Sequence, residues 1–224
     1  MELRDKNGLT EAEFLAQYRP GDYPRPSVAA DIAIFSPGEE GPQVLLIRRG
    51  GHPCLGQWAL PGGFVEPGET VGQAAARELW EETGAAGIAP QQLFTFSQPG
   101  RDPRTWTMSV LHMAVVPREK LAVQAGDDAA DAGWFRLEMK EEPEQPGTYF
   151  LRLTKGEEIL EARVARQENA PDGPFVILEN HGLAFDHPKL LALAAEHFGA
   201  LPAPSREKED FCTGKWLHIP YKEV

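Results

Sequence analysis

Apolar positions along this chain change their spacing several times, and each change marks an element. Thr10-Glu11-Ala12-Glu13 has the form of a capping box, and Phe14, Leu15 and Tyr18 follow at helical spacing. This predicts a short helix ending at Arg19-Pro20-Gly21, with an extended, proline-spaced lead-in over residues 20–26. Val28–Phe35 and Val44–Ile47 are apolar runs of strand length, separated by a loop at Ser36–Pro42, and the second run ends in Arg48-Arg49. Residues 50–63, rich in Gly and Pro, read as loop. Helical spacing returns over Thr70–Thr83, where Thr70 and Gln73 form a second capping box and Gly84 stands where a helix-ending glycine belongs. Leu93–Ser97 and Thr105–Val116 read as further strands joined by a loop at Pro99–Arg104, and Trp134-Phe135 end another.

Residues 138–147 are polar and proline-containing. Beyond them Tyr149–Leu153 and Ile159–Ala165 flank Thr154-Lys155-Gly156-Glu157, which predicts a hairpin, and Phe175–Leu178 fits a third strand beside it. Asp186 suits the N-cap of a last helix running to His197 and closed by Gly199. Strands alternating with helices predict an α/β layered fold. The expected organisation is an N-terminal helical arm at 1–25, one domain over 26–200 carrying a β-rich insertion at about 140–180, and a C-terminal tail at 201–224. A chain of 224 residues buries one good core and is short for two.

Charge changes the picture. The net charge is −12, so no long-range attraction for nucleic acid or an anionic membrane is expected. An anionic substrate would then need a local reversal of sign, and a bound cation supplies it. The two cysteines, Cys54 and Cys212, have no zinc or redox spacing, and the charged N-terminus lacks the apolar core of a signal peptide. The longest apolar run, around residues 190–195, is far too short to span a bilayer. The expected location is cytoplasmic. Gly-x-Ser-x-Gly and Gly-x-Gly-x-x-Gly do not occur, so neither a Ser-His-Asp hydrolase nor a dinucleotide-binding fold is indicated.

The chemistry concentrates in residues 63–85. At about 100° per residue, Glu78, Glu81 and Glu82 share one helical face, while Ala75, Ala76, Leu79 and Trp80 lie on another arc that can pack on a sheet. Three carboxylates at i, i+3 and i+4 repel one another, and Arg77 offsets only part of this. A hard dication would reverse the repulsion, since carboxylate oxygens are the ligands magnesium prefers. Gly62-Gly63 lets backbone approach such a site closely. A Glu-Glu pair alone is usually just a solvated face. The full pattern is far more specific: Gly63, five residues, Glu69, seven residues, Arg77-Glu78, an aliphatic, any residue, Glu81-Glu82, any residue, Gly84.

This stretch resembles the Nudix box, with Ala85 as the one soft departure where the family has a bulkier aliphatic. Tyr23–Val28, Trp58–Gly63, Arg101–Arg104, Ala132–Phe135 and Leu183–His187 are similar to ADP-ribose pyrophosphatase-type members. The resemblance implies a Nudix α/β/α sandwich with a mixed sheet and Mg²⁺-dependent hydrolysis, with Mn²⁺ as the alternative ion. It further implies metal ligation by Glu78, Glu81, Glu82 and the Gly62 carbonyl, a supporting Glu69–Arg77 pair, and a homodimer. Glu78 or an acid on a downstream loop, Asp127, Asp128 or Asp131, would serve as general base. Arg48, Arg49, Arg101 and Arg104 are the candidate substrate-phosphate contacts. Phe14, Tyr18, Tyr23 and Trp106 are candidate faces for adenine, although core packing is the more ordinary role for each. ADP-ribose, hydrolysed to AMP and ribose 5-phosphate, is the expected substrate. The alternatives are an oxidised nucleoside triphosphate, a nucleotide sugar or a dinucleotide, or a non-enzymatic ADP-ribose-sensing regulator.

Overall fold

The computed structural model describes residues 2–38, 41–84, 87–118, 121, 129–168, 170 and 172–200. In chain order the strands are β1 (Ser27–Ser36), β2 (Gln43–Arg49), β3 (Trp58–Ala59), β4 (Gly62–Phe64), β5 (Gln91–Phe96), β6 (Thr107–Val115), β7 (Ala129–Glu141), β8 (Thr148–Lys155), β9 (Glu158–Arg166) and β10 (Phe175–His181). The α-helices are α1 (Glu11–Gln17), α2 (Val71–Thr83) and α3 (His187–Ala200), and a 3-10 turn at Pro20–Asp22 interrupts the lead-in expected to be extended.

β1 shows why helices cover both faces of the sheet. Its side chains alternate: Ala30, Ile32 and Ile34 pack with Ala74, Ala75 and Leu79 of α2, whereas Ala33 and Phe35 join Leu190, Leu191 and Leu193 of α3. A strand buried on both sides needs an unbroken apolar run, and Val28–Phe35 is one except at Asp31. β1 pairs in parallel with β6 and antiparallel with β2, so the sheet is mixed. Its order among the described residues is β10-β9-β8-β7-β2-β1-β6-β5, with β3 added to β2 and β4 to β1. The result is an α/β/α sandwich.

Three further expectations need correction. Residues 50–63 are not loop throughout, because β3 and β4 pair with β2 and β1 through registers that place Gly62 opposite Asp31. Trp134 and Phe135 do not end a strand. They lie in the middle of β7, which continues through polar residues to Glu141 because β8 pairs with it along Arg136–Glu141. The last helix runs on past Gly199 to Ala200.

The insertion forms the hairpin and third strand expected, and they extend the central sheet instead of stacking a new layer on it. Leu151, Leu153, Leu160, Ala162 and Val164 belong to the same buried cluster as α3. α1 carries its capping box, with Thr10 and Glu13 bonded reciprocally, but has no buried residue. No described helix is long and apolar enough to cross a membrane. The expected tail at 201–224, with Cys212, lies outside the described residues.

Candidate functional site

α2 is fixed at both ends. Thr70 accepts from the Gln73 amide (3.2 Å), the Gln73 side chain accepts from the Thr70 amide (2.7 Å), and Gly84 closes the helix at φ +68°. Ala74, Ala75 and Leu79 bury the core side, which turns Glu78 and Glu82 toward β4 and leaves Glu81 exposed. Trp80 does not pack on the sheet as its position suggested: it is 56% exposed at the rim of the cavity beside α2. The glycines of β4 make room for the glutamates. A Cβ on Gly63 would sit 2.6 Å from Glu78 Cδ, and one on Gly62, at φ +148°, would sit 2.9 Å from Asp31 Cα and press on the Ala30 carbonyl.

Charge in this wall is under-compensated. Arg77 is the hub: its guanidinium donates to both oxygens of Glu69 (2.8 and 3.2 Å), to Glu78 (2.7 Å), to Glu81 (3.1 Å) and to the Phe64 carbonyl (3.2 Å). Glu82 receives nothing from it. Glu82 is 8% exposed, and its Oε2 has no hydrogen-bond partner. Burial, seconded by the charge of Glu78, pushes its carboxyl up to about 8. Burial also raises Glu78, against the pull of Arg77. Among the described residues no three His, Cys, Asp or Glu side chains converge at ligand spacing, and Glu78 and Glu81 are both paired with Arg77. A hard divalent cation still fits this chemistry: it supplies the partner that Glu82 Oε2 lacks, beside two further carboxylates and a glycine-lined approach.

The rest of the cavity, whose volume is about 840 Å³, is lined by arginines. Arg101 is buried and holds Asp186 through two bonds (2.7 and 3.1 Å), with Asp31 3.9 Å away. Arg104 grips Asp102 in the same forked manner and lies 5.4 Å over the Phe64 ring. Arg49 donates its Nε to the Pro53 carbonyl (2.8 Å) and lies 5.0 Å over Phe185. Arg48 is exposed, bonds the Gly56 carbonyl (3.1 Å), and does not line the cavity. Asp128 and Asp127 lie outside the described residues. Asp131 is half-exposed, pairs with Lys155 (3.1 Å), and does not line the cavity either.

Core packing does not explain the four candidate aromatics. Phe14, Tyr18, Tyr23 and Trp106 are 45%, 41%, 59% and 50% exposed. The first three form a run of ring contacts with centroids 5.6 and 5.8 Å apart. Sequence reasoning missed Asp31, Ser109 and His187. The Ser109 hydroxyl donates to Asp31, and His187 Nδ1 accepts from the Leu60 amide (2.9 Å), which leaves that imidazole neutral. Asp31 had a visible signal, since an ionisable residue inside an apolar strand needs a partner or a role.

With this geometry in view, the family follows. The NUDIX domain model matches residues 25–152. The chain belongs to the Nudix family. It is 44% identical over 115 residues to an ADP-ribose pyrophosphatase of Methanocaldococcus jannaschii, covering 51% of this chain and 64% of that protein. It is 41% identical over 134 residues to the ADPR responsive transcriptional repressor NtrR of Acinetobacter baylyi, covering 59% of this chain and 53% of that protein. The chain thus spans less than two thirds of either relative. The NUDIX domain of Shewanella oneidensis NrtR, solved with ADP ribose, superposes with TM-score 0.58 at 26% identity, covering 85% of this chain and 99% of that one.

Proposed function

We propose that this chain hydrolyses the pyrophosphate of a nucleoside diphosphate linked to another moiety, ADP-ribose above all, giving AMP and ribose 5-phosphate. The observation that carries this is Glu82: a buried carboxylate oxygen without a partner, on the face it shares with Glu78 and Glu81, above Gly62 and Gly63. Glu78, Glu81, Glu82 and the Gly62 carbonyl would hold Mg²⁺, or Mn²⁺ in its place. Bound there, the ion supplies Lewis-acid polarisation of phosphoryl oxygens and a lowered pKa for attacking water.

The chain's own residues do the rest. Arg77 and Glu69 tie α2 to the turn before it and hold Glu78 in place. Glu78, partly buried with a raised pKa, would take the water proton, with Asp128 as the downstream alternative. Arg49 would face the substrate anion, while Arg101 and Arg104 are committed to Asp186 and Asp102. Support for ADP-ribose comes from the Methanocaldococcus pyrophosphatase and the ADP-ribose complex of the Shewanella domain. The exposed run of Phe14, Tyr18 and Tyr23, which starts on α1 and continues past its end, supports a homodimer, which sedimentation tests. The acidic charge and the free thiol of Cys54 favour a cytoplasmic small-molecule enzyme over a nucleic-acid or membrane protein.

The test is release of AMP from ADP-ribose by purified protein with Mg²⁺, beside nucleotide sugars, dinucleotides and oxidised triphosphates. Cleavage of another member of the panel with ADP-ribose untouched overturns the substrate. The Acinetobacter repressor favours a second reading, an ADP-ribose-responsive regulator. Sequence-specific DNA binding at moderate salt, reversed by ADP-ribose and with no turnover, would establish it instead.

A further inference from the structure

The segment Gly182–His187, which returns from the insertion to α3, runs beside β3 and touches the site repeatedly. The Trp58 amide donates to the Gly182 carbonyl (2.8 Å), the Ala184 amide donates to the Trp58 carbonyl (2.7 Å), and the Leu60 amide donates to His187 (2.9 Å). Asp186 holds Arg101. Between these anchors stands Phe185, with φ at +49°. A bulky aromatic residue in the left-handed region is uncommon and strained, and such strain persists only where the surroundings impose it.

The strain has a visible product. It sets the Phe185 ring against the cavity wall, 5.0 Å from the Arg49 guanidinium and 5.9 Å from that of Arg104. Arg77, Arg101 and Arg104 of the cavity all have carboxylate partners; Arg49, among the described residues, has none. Its Nε is taken by the Pro53 carbonyl, and the ring covers one face. The fork of its two terminal nitrogens is what remains for an anion.

We propose that Phe185 is a positioning residue, which stacks on Arg49 and aims that unpaired guanidinium at a phosphate of the substrate. This rests on the hydrolase reading above, and it ties the insertion to the site, because the segment that returns from it after β10 carries the ring that aims the arginine. Leucine at 185 keeps apolar bulk without a stacking face, tyrosine keeps the face, and asparagine suits the left-handed backbone while removing the ring.

The experiment titrates inorganic pyrophosphate, with Mg²⁺ present, into the parent protein, Arg49→Ala, Phe185→Leu, Phe185→Tyr and Phe185→Asn. It also measures kcat and KM on the best nucleotide substrate and thermal midpoints. Expected are a weakening of binding and a rise in KM of about threefold to thirtyfold for Phe185→Leu. Its kcat should stay within about twofold, because binding lost equally in ground and transition states leaves kcat alone. Phe185→Tyr restores parent values. Phe185→Asn binds as poorly as Phe185→Leu but melts higher than it, because its backbone strain is relieved.

If Arg49→Ala weakens pyrophosphate binding and Phe185→Leu does not, the positioning role is overturned while the anion site stands. If neither variant changes binding or KM, Arg49 faces no phosphate and the proposal fails. If the parent neither binds pyrophosphate nor cleaves any nucleotide, the hydrolase reading fails and takes this one with it. A Phe185→Tyr variant as weak as Phe185→Leu also overturns it, since the stacking face is then irrelevant.

Discussion

The two walls of the cavity are built from the same kinds of charged residue and differ in how completely those charges are paired. On the arginine wall the bonds close: Arg101 with Asp186, Arg104 with Asp102, and Lys189 near Asp186 at 3.5 Å. On the carboxylate wall Glu69, Glu78 and Glu81 share Arg77, and Glu82 is left with a buried oxygen that nothing answers. Closed pairs inside a protein are architecture, because each charge already has what it needs. Open groups mark where a ligand completes the set. By that criterion a cation belongs at Glu82, an anion at Arg49, and the other arginines hold the frame between them.

The comparison breaks most visibly at Glu82. Glu82→Gln keeps the volume and removes the charge that would face the metal, so turnover with Mg²⁺ should fall by about a thousandfold or more. The metal-free fold should be as stable as the parent or more so, since glutamine occupies the buried position without having to take up a proton there. Steady-state kinetics and a thermal melt without metal check both halves, and near-parent turnover would remove Glu82 from the metal site.

Removing a partner from the closed wall should do the reverse. Asp186→Ala leaves Arg101 buried and uncompensated and should cost about 3–5 kcal/mol of stability, trimmed by Asp31 at 3.9 Å. The double variant Arg101→Met with Asp186→Leu should recover most of that loss. Urea denaturation of both variants decides whether this pair is frame, and a mild Asp186→Ala would say it is not.

Much of this contrast could be read along the chain and some could not. The carboxylate wall was legible because its residues are close in sequence and share one helix, so periodicity alone put Glu78, Glu81 and Glu82 on one face. Both capping boxes were legible for the same reason. The arginine wall joins residues far apart: Arg101 reaches Asp186 across 85 positions, and Leu60 reaches His187 across 127. Nothing local distinguishes an arginine already paired with aspartate from one left open. β3 and β4 were missed because a Gly- and Pro-rich stretch has no strand period, and they are strands only through pairing with β2 and β1. Trp134-Phe135 seemed to end a strand because the polar residues after them are held by β8, which arrives later in the chain.

The two walls should also respond oppositely to pH in the metal-free protein. Glu82 has its folded pKa raised to about 8 from an ordinary value of 4.5, so between these the folded state keeps a proton the unfolded state has released. Stability therefore falls by a few kcal/mol as pH rises through that window. His187, fully buried, has its pKa lowered by burial from 6.5, so the unfolded state binds the extra proton and stability falls as pH drops below about 6.5. Denaturation midpoints across pH 5 to 9 should show the alkaline decline flattened in Glu82→Gln and in parent protein with saturating Mg²⁺. The acid decline should be flattened in His187→Gln. An alkaline slope unchanged in Glu82→Gln would assign it elsewhere.

The smallest effect sharpens why α2 tolerates like charges at all. Its three glutamates repel, and the helix is held by its caps and by Ala74, Ala75 and Leu79 on the core. Thr70→Ala removes one cap bond and should cost about 1 kcal/mol of global stability. The matching change in α1, Thr10→Ala, removes the same kind of bond from a helix with no buried residue. It should fray that helix locally, seen as faster amide exchange at Phe14 and Leu15, with the global denaturation midpoint unmoved. Metal should compensate part of the Thr70→Ala loss, because drawing Glu78, Glu81 and Glu82 together removes the repulsion the cap was opposing, and it should leave Thr10→Ala unaffected. Equal global losses for the two variants would mean that α1 is packed against something, a second copy of the chain included, and that the contrast between the helices is one of partners and not of caps.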